Sequence, residues 1–103
     1  MQITVSGKHL EITEPIRAYA LDKAQKLSKY YDHIQSVQVI ADKSQGTHYE
    51  VEMIAHVGRH DPFIATTRGE DLYATIDLAQ GKLERQLVEH NQKVKNHKHN
   101  TAQ

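Results

Sequence analysis

The chain has no cysteine, no tryptophan, one phenylalanine and only two prolines among its 103 residues. Without cysteine it can form no disulfide, thiolate nucleophile or zinc site of the cysteine type. No apolar run approaches the roughly 20 residues that a membrane span needs. Residues 1–5 also lack the basic and apolar regions of a signal peptide. We therefore expect a cytoplasmic protein with no membrane partner.

The length of the chain indicates one small domain, and its net charge of zero does not by itself indicate a polyanionic partner. A chain of this size buries only about two thirds of its unfolded surface, which limits it to one modest core. Thirteen Lys and Arg residues balance thirteen Asp and Glu residues, and eight histidines can add positive charge below neutral pH. A binding surface responds to the local field, so the placement of the charges matters more than their sum.

The hydrophobic pattern predicts four strands and two helices in the order β-α-β-β-β-α. Alternation with a period of two indicates strands near residues 1–7, 35–42, 49–57 and 63–67. Helical spacing predicts a first helix over about 14–30, preceded by Thr13 as N-cap and with Pro15 in its first turn. A second helix is predicted from about residue 70 to residue 94, with Glu70 and Asp71 at its positive end.

Each predicted element has a single apolar side, which indicates how the elements pack. The natural solution is an α+β sandwich of two layers, with both helices on one face of a four-stranded sheet. The first helix joins the first two strands, so a right-handed parallel crossover is expected there, and the later strands should be antiparallel. We assign residues 1–95 to one domain and residues 96–103 to a flexible polar tail.

The charges of the second helix are segregated. On a helical wheel with Leu83 at the centre of the buried stripe, Lys82, Arg85 and Lys93 share one flank. Asp77, Glu84 and Glu70 share the other. Charges that only keep a protein soluble are usually interspersed, so the segregation indicates an interaction surface.

The first helix carries a weaker basic edge of Lys23, Lys26 and Lys29, with Asp22 among them. For either helix alone, an ordinary solvated face explains the pattern better than a binding site does. For both together we favour a polyanion site, in which the two edges form one stripe. Because few aromatic residues are interleaved with the basic ones, phosphate contacts to duplex or folded RNA are more natural than base stacking.

No other constellation predicts chemistry. His56 and His60 flank a turn, and His97 and His99 lie in the tail, but neither pair has the spacing of a helical metal site and no third ligand is implied. Glu50 and Glu52 share the solvent face of a strand, without room for a catalytic pocket. We predict no enzyme, no metal, no cofactor and no small-molecule substrate.

Several short motifs resemble the ribosome hibernation promoting factor (HPF/YfiA) family, once described as sigma-54 modulation proteins. The resemblance runs from the first strand to about Lys95. Its most specific parts are the entry to the second helix and the segment that follows. The matching segments are Glu11-Ile12-Thr13, Ile16-Arg17, Lys26-Leu27, Tyr30, Glu70-Asp71-Leu72-Tyr73-Ala74-Thr75-Ile76-Asp77 and Lys82-Leu83-Glu84-Arg85-Gln86-Leu87.

The resemblance implies a fold similar to a double-stranded RNA-binding domain and a specific function. Such proteins bind the small ribosomal subunit, and through it the 70S ribosome, in the channel where mRNA and tRNAs sit against 16S rRNA. They silence ribosomes in stationary phase or under stress, and the short form supports ribosome dimers together with a separate small modulation factor. We expect the short form here, because the chain is too short for the long form's C-terminal domain. A general double-stranded RNA-binding module is the alternative.

The family's basic positions fall on the residues that the helical wheel groups. They match Lys23, Lys26, Lys29, Lys82, Arg85 and Lys93, which we predict to bind RNA. Between Arg85 and Lys93 this chain departs from the family, because Glu89 stands where a basic residue is usual. Glu89 repels phosphate unless it pairs with Arg85 or Lys93 one turn away.

Overall fold

The structure is a computed structural model, and it describes the backbone of residues 1–101 and the side chains of residues 1–43 and 46–91. Four strands and two helices follow the predicted order. The elements are β1 (Gln2–Lys8), α1 (Glu14–Gln25), a 3₁₀ segment (Lys26–Lys29), β2 (Ile34–Gln45), β3 (His48–Val57), β4 (Phe63–Gly69) and α2 (Leu72–Thr101).

The strands form one sheet in the order β1-β2-β3-β4. β1 pairs with β2 in parallel, and the β2–β3 and β3–β4 pairs are antiparallel. These pairings confirm the predicted parallel crossover through α1 and the hairpin order of the later strands. The register aligns Val5, Val39, Met53 and Ala65 in one row across the sheet.

The core lies between the sheet and the two helices, as predicted for a two-layer α+β sandwich. Because successive strand residues point to opposite faces, alternate positions of each strand enter it. The core residues are Val5, Ala20, Ala24, Leu27, Ile34, Val37, Val39, Ala41, Val51, Met53, Ala55, Val57, Ala65, Leu72, Ile76, Ala79, Leu83 and Leu87. The opposite face of the sheet carries no helix among the described residues.

The first helix changes from α to 3₁₀ pitch before the residue at which the sequence predicts its end. α1 ends at Gln25, and the chain continues as the 3₁₀ segment through Lys29. At the junction the hydroxyl of Ser28 donates to the carbonyl oxygen of Gln25 at 2.8 Å. Serine competes for backbone hydrogen bonds in this way, and short 3₁₀ turns are frequent at helix ends. Leu27 stays fully buried, so the apolar stripe is kept across the change in pitch.

The chain bends at His9, close to the end of the predicted first strand. The backbone of His9 is left-handed, with φ of 56°, so β1 ends at Lys8. The chain then folds back so closely that the carbonyl oxygen of Leu10 occupies the space a Cβ at position 7 would need. Glycine is therefore required at this position. Leu10 and Ile12 remain packed against the core from outside the sheet.

Hydrogen bonds join the start of α2 to the edge strand β4. Asp71 precedes the helix, and its Oδ1 accepts a hydrogen bond from the backbone N–H of Tyr73 at 3.0 Å. The buried Thr75 hydroxyl donates to the Asp71 carbonyl oxygen at 2.6 Å, and the Thr67 hydroxyl donates to the Thr75 carbonyl oxygen at 2.9 Å. These bonds fix where α2 begins and how it lies on β4.

The predicted flexible tail, residues 96–103, lies outside the residues whose side chains are described, and both this tail and the domain boundary at residue 95 stay predictions. In the described part of the chain, neither helix combines the length and the apolar content required to cross a bilayer.

Candidate nucleic-acid interface

Lys82 and Arg85 lie together on the flank of α2 that faces β4. They line a shallow depression of about 430 Å³, which opens where Gly81 leaves the helix surface without a side chain. The depression is also lined by Thr67, Arg68, Asp77 and Leu78. Among residues with described side chains, no carboxylate forms an ion pair with Arg85. Two of the predicted RNA-binding residues therefore share one accessible site.

The edge strand β4 holds this flank of α2 in place. The Lys82 ammonium donates to the Thr66 carbonyl oxygen at 3.2 Å, and the Gln86 amide donates to the Ile64 carbonyl oxygen at 2.9 Å. These bonds satisfy backbone carbonyl oxygens that have no strand partner at the edge of the sheet. Lys82 remains exposed, so it can turn from this weak contact to a phosphate group.

Arg68 is a third cation at the depression, and it is not among the residues predicted to bind RNA. It lies on the solvent face of β4, where its cross-strand neighbour is Glu50. The Arg68 Nε and a carboxylate oxygen of Glu50 lie 3.5 Å apart, while 58% of the Arg68 side chain remains exposed. Alternation along β4 predicts the exposure of Arg68, but only the packing of α2 against this edge reveals its proximity to Lys82.

Lys23 faces the opposite flank of α2 and already has an acidic partner. Its ammonium lies 3.2 Å from Oδ1 of Asp77, the same oxygen that accepts a hydrogen bond from the Tyr19 hydroxyl at 2.6 Å. The Tyr19 ring meets the Tyr73 ring edge to face, with 5.0 Å between centroids. The cluster of Tyr19, Lys23, Asp77 and Tyr73 therefore joins α1 to α2.

The protonation of this cluster follows from its hydrogen bonds. Burial acts to raise the pKa of Asp77, but hydrogen bonds from Tyr19 and Lys23 outweigh it and hold that pKa below its ordinary value. The hydrogen bond to Asp77 raises the pKa of both Tyr19 and Lys23. The negative charge of Asp77 is thus fixed opposite the ammonium of Lys23 near neutral pH.

The predicted single stripe across both helices is therefore interrupted. Lys23 contacts the acidic flank of α2, while Lys82 contacts β4 on the other side of the same helix. Lys26 pairs with Asp22 one turn earlier, at 3.6 Å, and about half of its side chain is exposed. Lys29 lies farther along the same edge, at the end of the 3₁₀ segment. The structure thus separates two basic groups with Asp77 between them.

The predicted basic flank also contains Lys93, and the acidic Glu89 lies between Arg85 and Lys93. Among the described side chains, Glu89 forms no ion pair with Arg85, although the two are one turn apart. Glu89 is exposed and keeps its charge on the flank. The side chain of Lys93 lies outside the described residues, so its role and its pairing with Glu89 stay predictions.

The two histidines that flank the turn, His56 and His60, make different contacts. The His56 ring lies 3.3 Å from the side-chain oxygen of Gln38, and the His60 ring stacks on Phe63 at 4.5 Å between centroids. In the described part of the chain, no group of three or more acidic or histidine side chains is arranged to hold a metal ion.

Comparisons with known proteins identify the family. The sequence profile of the family described as sigma 54 modulation protein / S30EA ribosomal protein matches residues 3–95. The chain belongs to this family. It is similar to the ribosome hibernation promoting factor of Pseudomonas putida, at 38% identity over 90% of this chain and 89% of that one. It is also similar to the factor of the same name from Escherichia coli K12, at 37% identity over 94% of this chain and all of that one.

Solved structures show the same fold. The N-terminal domain of Thermus thermophilus Protein Y superposes with a TM-score of 0.78 and 30% identity, covering 87% of this chain and 99% of that one. A ribosomal subunit interface protein from Coxiella burnetii gives a TM-score of 0.80 at 23% identity, covering 88% of this chain and 98% of that one. The second likeness concerns the fold alone.

These findings confirm two predictions, the family resemblance and the α+β fold class. Membership of the sigma 54 modulation / S30EA family assigns the chain to ribosome hibernation and translation regulation rather than to catalysis. The particular residues that contact RNA remain predictions.

Proposed function

We propose that this chain is a cytoplasmic translation inhibitor that binds the small ribosomal subunit and blocks the channel for mRNA and tRNA. In this proposal it contacts 16S rRNA, silences ribosomes in stationary phase or under stress, and supports their pairing into dimers with a separate modulation factor. Family membership supports the ribosome as the target, and the fold supports RNA as the surface that is recognised.

The observation that carries the proposal is the basic group around the depression at Gly81. Lys82 and Arg85 from α2 and Arg68 from β4 converge there. Guanidinium groups suit bidentate contacts with phosphate, while lysine adds a flexible point charge. These cations arise from two rigid elements, so the positions of their backbones are set before binding and no backbone ordering is needed on contact.

The proposed mechanism is steric exclusion and includes no chemical step. Phosphate contacts position a protein on folded RNA without reading its sequence. Selection of the small subunit therefore comes from the shape of the channel, which orders phosphates to match the basic groups of the rigid sandwich. Once seated there, the body of the domain occupies the space that mRNA and tRNA need.

Co-sedimentation with separated subunits tests the proposal. Purified protein is centrifuged with small subunits, large subunits, 70S ribosomes and an RNA duplex of equal phosphate concentration, over a salt series. Translation is assayed in parallel, and sucrose gradients report dimers with and without the modulation factor. We expect salt-sensitive binding to small subunits and 70S ribosomes, with translation falling as occupancy rises.

A matched pair of variants tests the surface. Lys82→Glu with Arg85→Glu should abolish association without unfolding, because both side chains are exposed. The control, Lys8→Glu with Lys43→Glu, makes the same change in net charge at exposed residues away from α2. Equal loss in both variants would show that only total charge matters. Normal binding of the first variant would refute the surface, and equal preference for the duplex would favour a general RNA-binding module.

A further inference from the structure

A cavity of about 270 Å³ lies beyond the end of α1, apart from the depression at Gly81. It is lined by Lys29, Tyr30, Tyr31, Asp32, His33 and Asn91. Four of these residues form the short connection between the 3₁₀ segment and β2, Lys29 is the last residue of the 3₁₀ segment, and Asn91 comes from α2. We refer to it as the connection cavity. The predicted phosphate-binding residue Lys29 therefore stands beside three ring-bearing side chains, an arrangement that sequence spacing did not reveal.

Ring contacts give this cavity a preformed wall. The Tyr31 ring meets the exposed His33 ring edge to face at 5.9 Å and lies 5.7 Å from the His90 ring. His90 is in turn 4.5 Å from His60, which stacks on Phe63. These contacts tie the cavity to β4 and α2 through a continuous series of rings. A wall that is already ordered costs a ligand little conformational entropy.

We propose that the connection cavity binds one unstacked nucleotide of RNA, with Lys29 at its phosphate and the base among the rings. Sequence-specific recognition of RNA commonly takes bases that are splayed out of a helix and stacks them on aromatic side chains. Stacking on a ring tolerates any base, while a neighbouring cation holds the backbone. This inference rests on the proposed RNA-binding function, and it adds a base contact to a surface otherwise suited to phosphates.

Asp32 and Asn91 supply a preference among bases. No described cation forms an ion pair with Asp32, so its carboxylate is available as an acceptor. A carboxylate can accept both the ring N–H and the amino group of guanine, whereas uracil offers it a single donor flanked by oxygens. The Asn91 amide adds a donor for a base oxygen. The connection cavity therefore favours guanine over uracil.

Nuclear magnetic resonance titration of the full ¹⁵N-labelled chain tests this inference. The probes are 5′-GMP, 5′-UMP and inorganic phosphate, each added at the same series of concentrations. We expect GMP to shift the amide signals of residues 29–33 and 91 and to bind at least about fivefold more tightly than UMP. Within the connection cavity, inorganic phosphate should perturb only the surroundings of Lys29.

Exposed variants separate the base contact from the phosphate contact. Asp32→Asn should remove the preference for GMP over UMP without weakening the binding of phosphate, and His33→Ala should weaken both nucleotides. Asp61→Asn is the matched control, since Asp61 is an exposed carboxylate outside the lining of the connection cavity. We expect this control to retain the full preference for GMP.

Other outcomes overturn the proposal. Identical binding of GMP and phosphate, a GMP preference that survives Asp32→Asn, or shifts confined to residues around Lys82 would each refute the connection cavity as a base site. Sedimentation of the same proteins with small subunits keeps the two ideas apart. If GMP does not bind but the protein sediments with small subunits, the base site alone is rejected. If GMP binds but the protein does not sediment with small subunits, the ribosomal role alone is rejected.

Discussion

Glu89 is the residue at which this chain departs most clearly from a phosphate-binding surface. It lies on the flank of α2 that carries Lys82 and Arg85, and no described cation neutralises it. A negative charge one turn from Arg85 weakens the local field that attracts phosphate. If the depression at Gly81 is the binding site, Glu89 limits its affinity without changing its position.

Replacement of Glu89 with Lys should therefore tighten binding to the small subunit and steepen its salt dependence by about one phosphate contact. The measurement is co-sedimentation over a salt series. Glu84→Lys is the control, because it makes the same charge change on the opposite flank of α2. If both variants tighten binding equally, the gain comes from total charge. Unchanged affinity of Glu89→Lys would place this residue off the interface.

Asp77 has a structural role that its place among the predicted flank acids does not indicate. Because its pKa is lowered in the folded protein, the carboxylate stabilises the fold above its unfolded pKa of about 3.9, and this stabilisation is lost as pH falls through the lower folded value. Asp77→Asn should cost about 0.5 kcal/mol at neutral pH, a small figure because the pair is half exposed.

Urea denaturation of the wild type and Asp77→Asn between neutral pH and pH about 2.5 measures this contribution. The difference in free energy of unfolding should shrink as the pH falls below about 4. Asp22→Asn provides a control for loss of a carboxylate from an exposed ion pair. A difference that stays constant with pH would show that ionisation of Asp77 does not stabilise the fold.

Among the elements, the two helices begin with different capping contacts. Asp71 accepts a hydrogen bond from the backbone of Tyr73, whereas Thr13 occupies the predicted N-cap of α1 without any side-chain capping bond. Residue type and position predicted Thr13 as an N-cap, whereas Asp71 was predicted only as an acid at the positive end of α2. Whether the capping bond forms depends on the rotamer of the capping side chain and on the path of the chain before it. The chain reaches Thr13 after the turn at His9, and it reaches Asp71 directly after the edge strand β4.

Substitution of the two caps should therefore have unequal effects. Asp71→Ala should lower the free energy of unfolding by about 1 kcal/mol, the usual cost of losing a capping side chain. Thr13→Ala should cost clearly less, because no bond is lost. Thermal or urea unfolding of both variants measures the difference. Equal losses would mean that the capping bond of Asp71 contributes nothing measurable.

Hydrophobic periodicity predicted each helix and strand because the residues that recur along each element are the ones that pack into the core. The stripe of Leu72, Ile76, Leu83 and Leu87 is fully or almost fully buried, as the helical spacing requires. The pitch of residues 26–29 was not predictable in the same way. Both α and 3₁₀ pitch bury Leu27, so the choice rests on local hydrogen bonding at Ser28 rather than on the apolar pattern.

For the molecule as a whole, the positions of the charges could be predicted within each helix but not between elements. A helical wheel placed Asp77 and Lys82 on opposite flanks of α2, and in the structure Asp77 contacts Lys23 while Lys82 contacts β4, although both also line the depression at Gly81. It contained no information on which flank faces α1, so the acidic contact with Lys23 was missed. Arg68 was missed for the same reason, since its place at the depression depends on the packing of α2 against β4. The connection cavity combines the consecutive residues 29–33 with Asn91 of the distant α2, and only the fold brings Asn91 to them.

This placement explains how a chain of formal net charge zero can bind a polyanion. Counterion release depends on the phosphates that are contacted and not on the total charge of the protein. Contacts from Lys82, Arg85 and Arg68 contribute about −2 to −3 to the slope when the logarithm of the small-subunit binding constant is plotted against that of salt concentration, and each further phosphate contact steepens it.

Lys82→Gln with Arg85→Gln should flatten that slope by about two contacts. Lys8→Gln with Lys43→Gln changes the net charge equally and should leave the slope as it is, because neither residue lies at the depression. Sedimentation binding isotherms at several salt concentrations measure all three slopes. If both double variants flatten the slope to the same degree, the protein binds through its overall field. A selective effect means that a local group of cations makes the contact, despite the acidic side chains of Asp77 and Glu50 beside it.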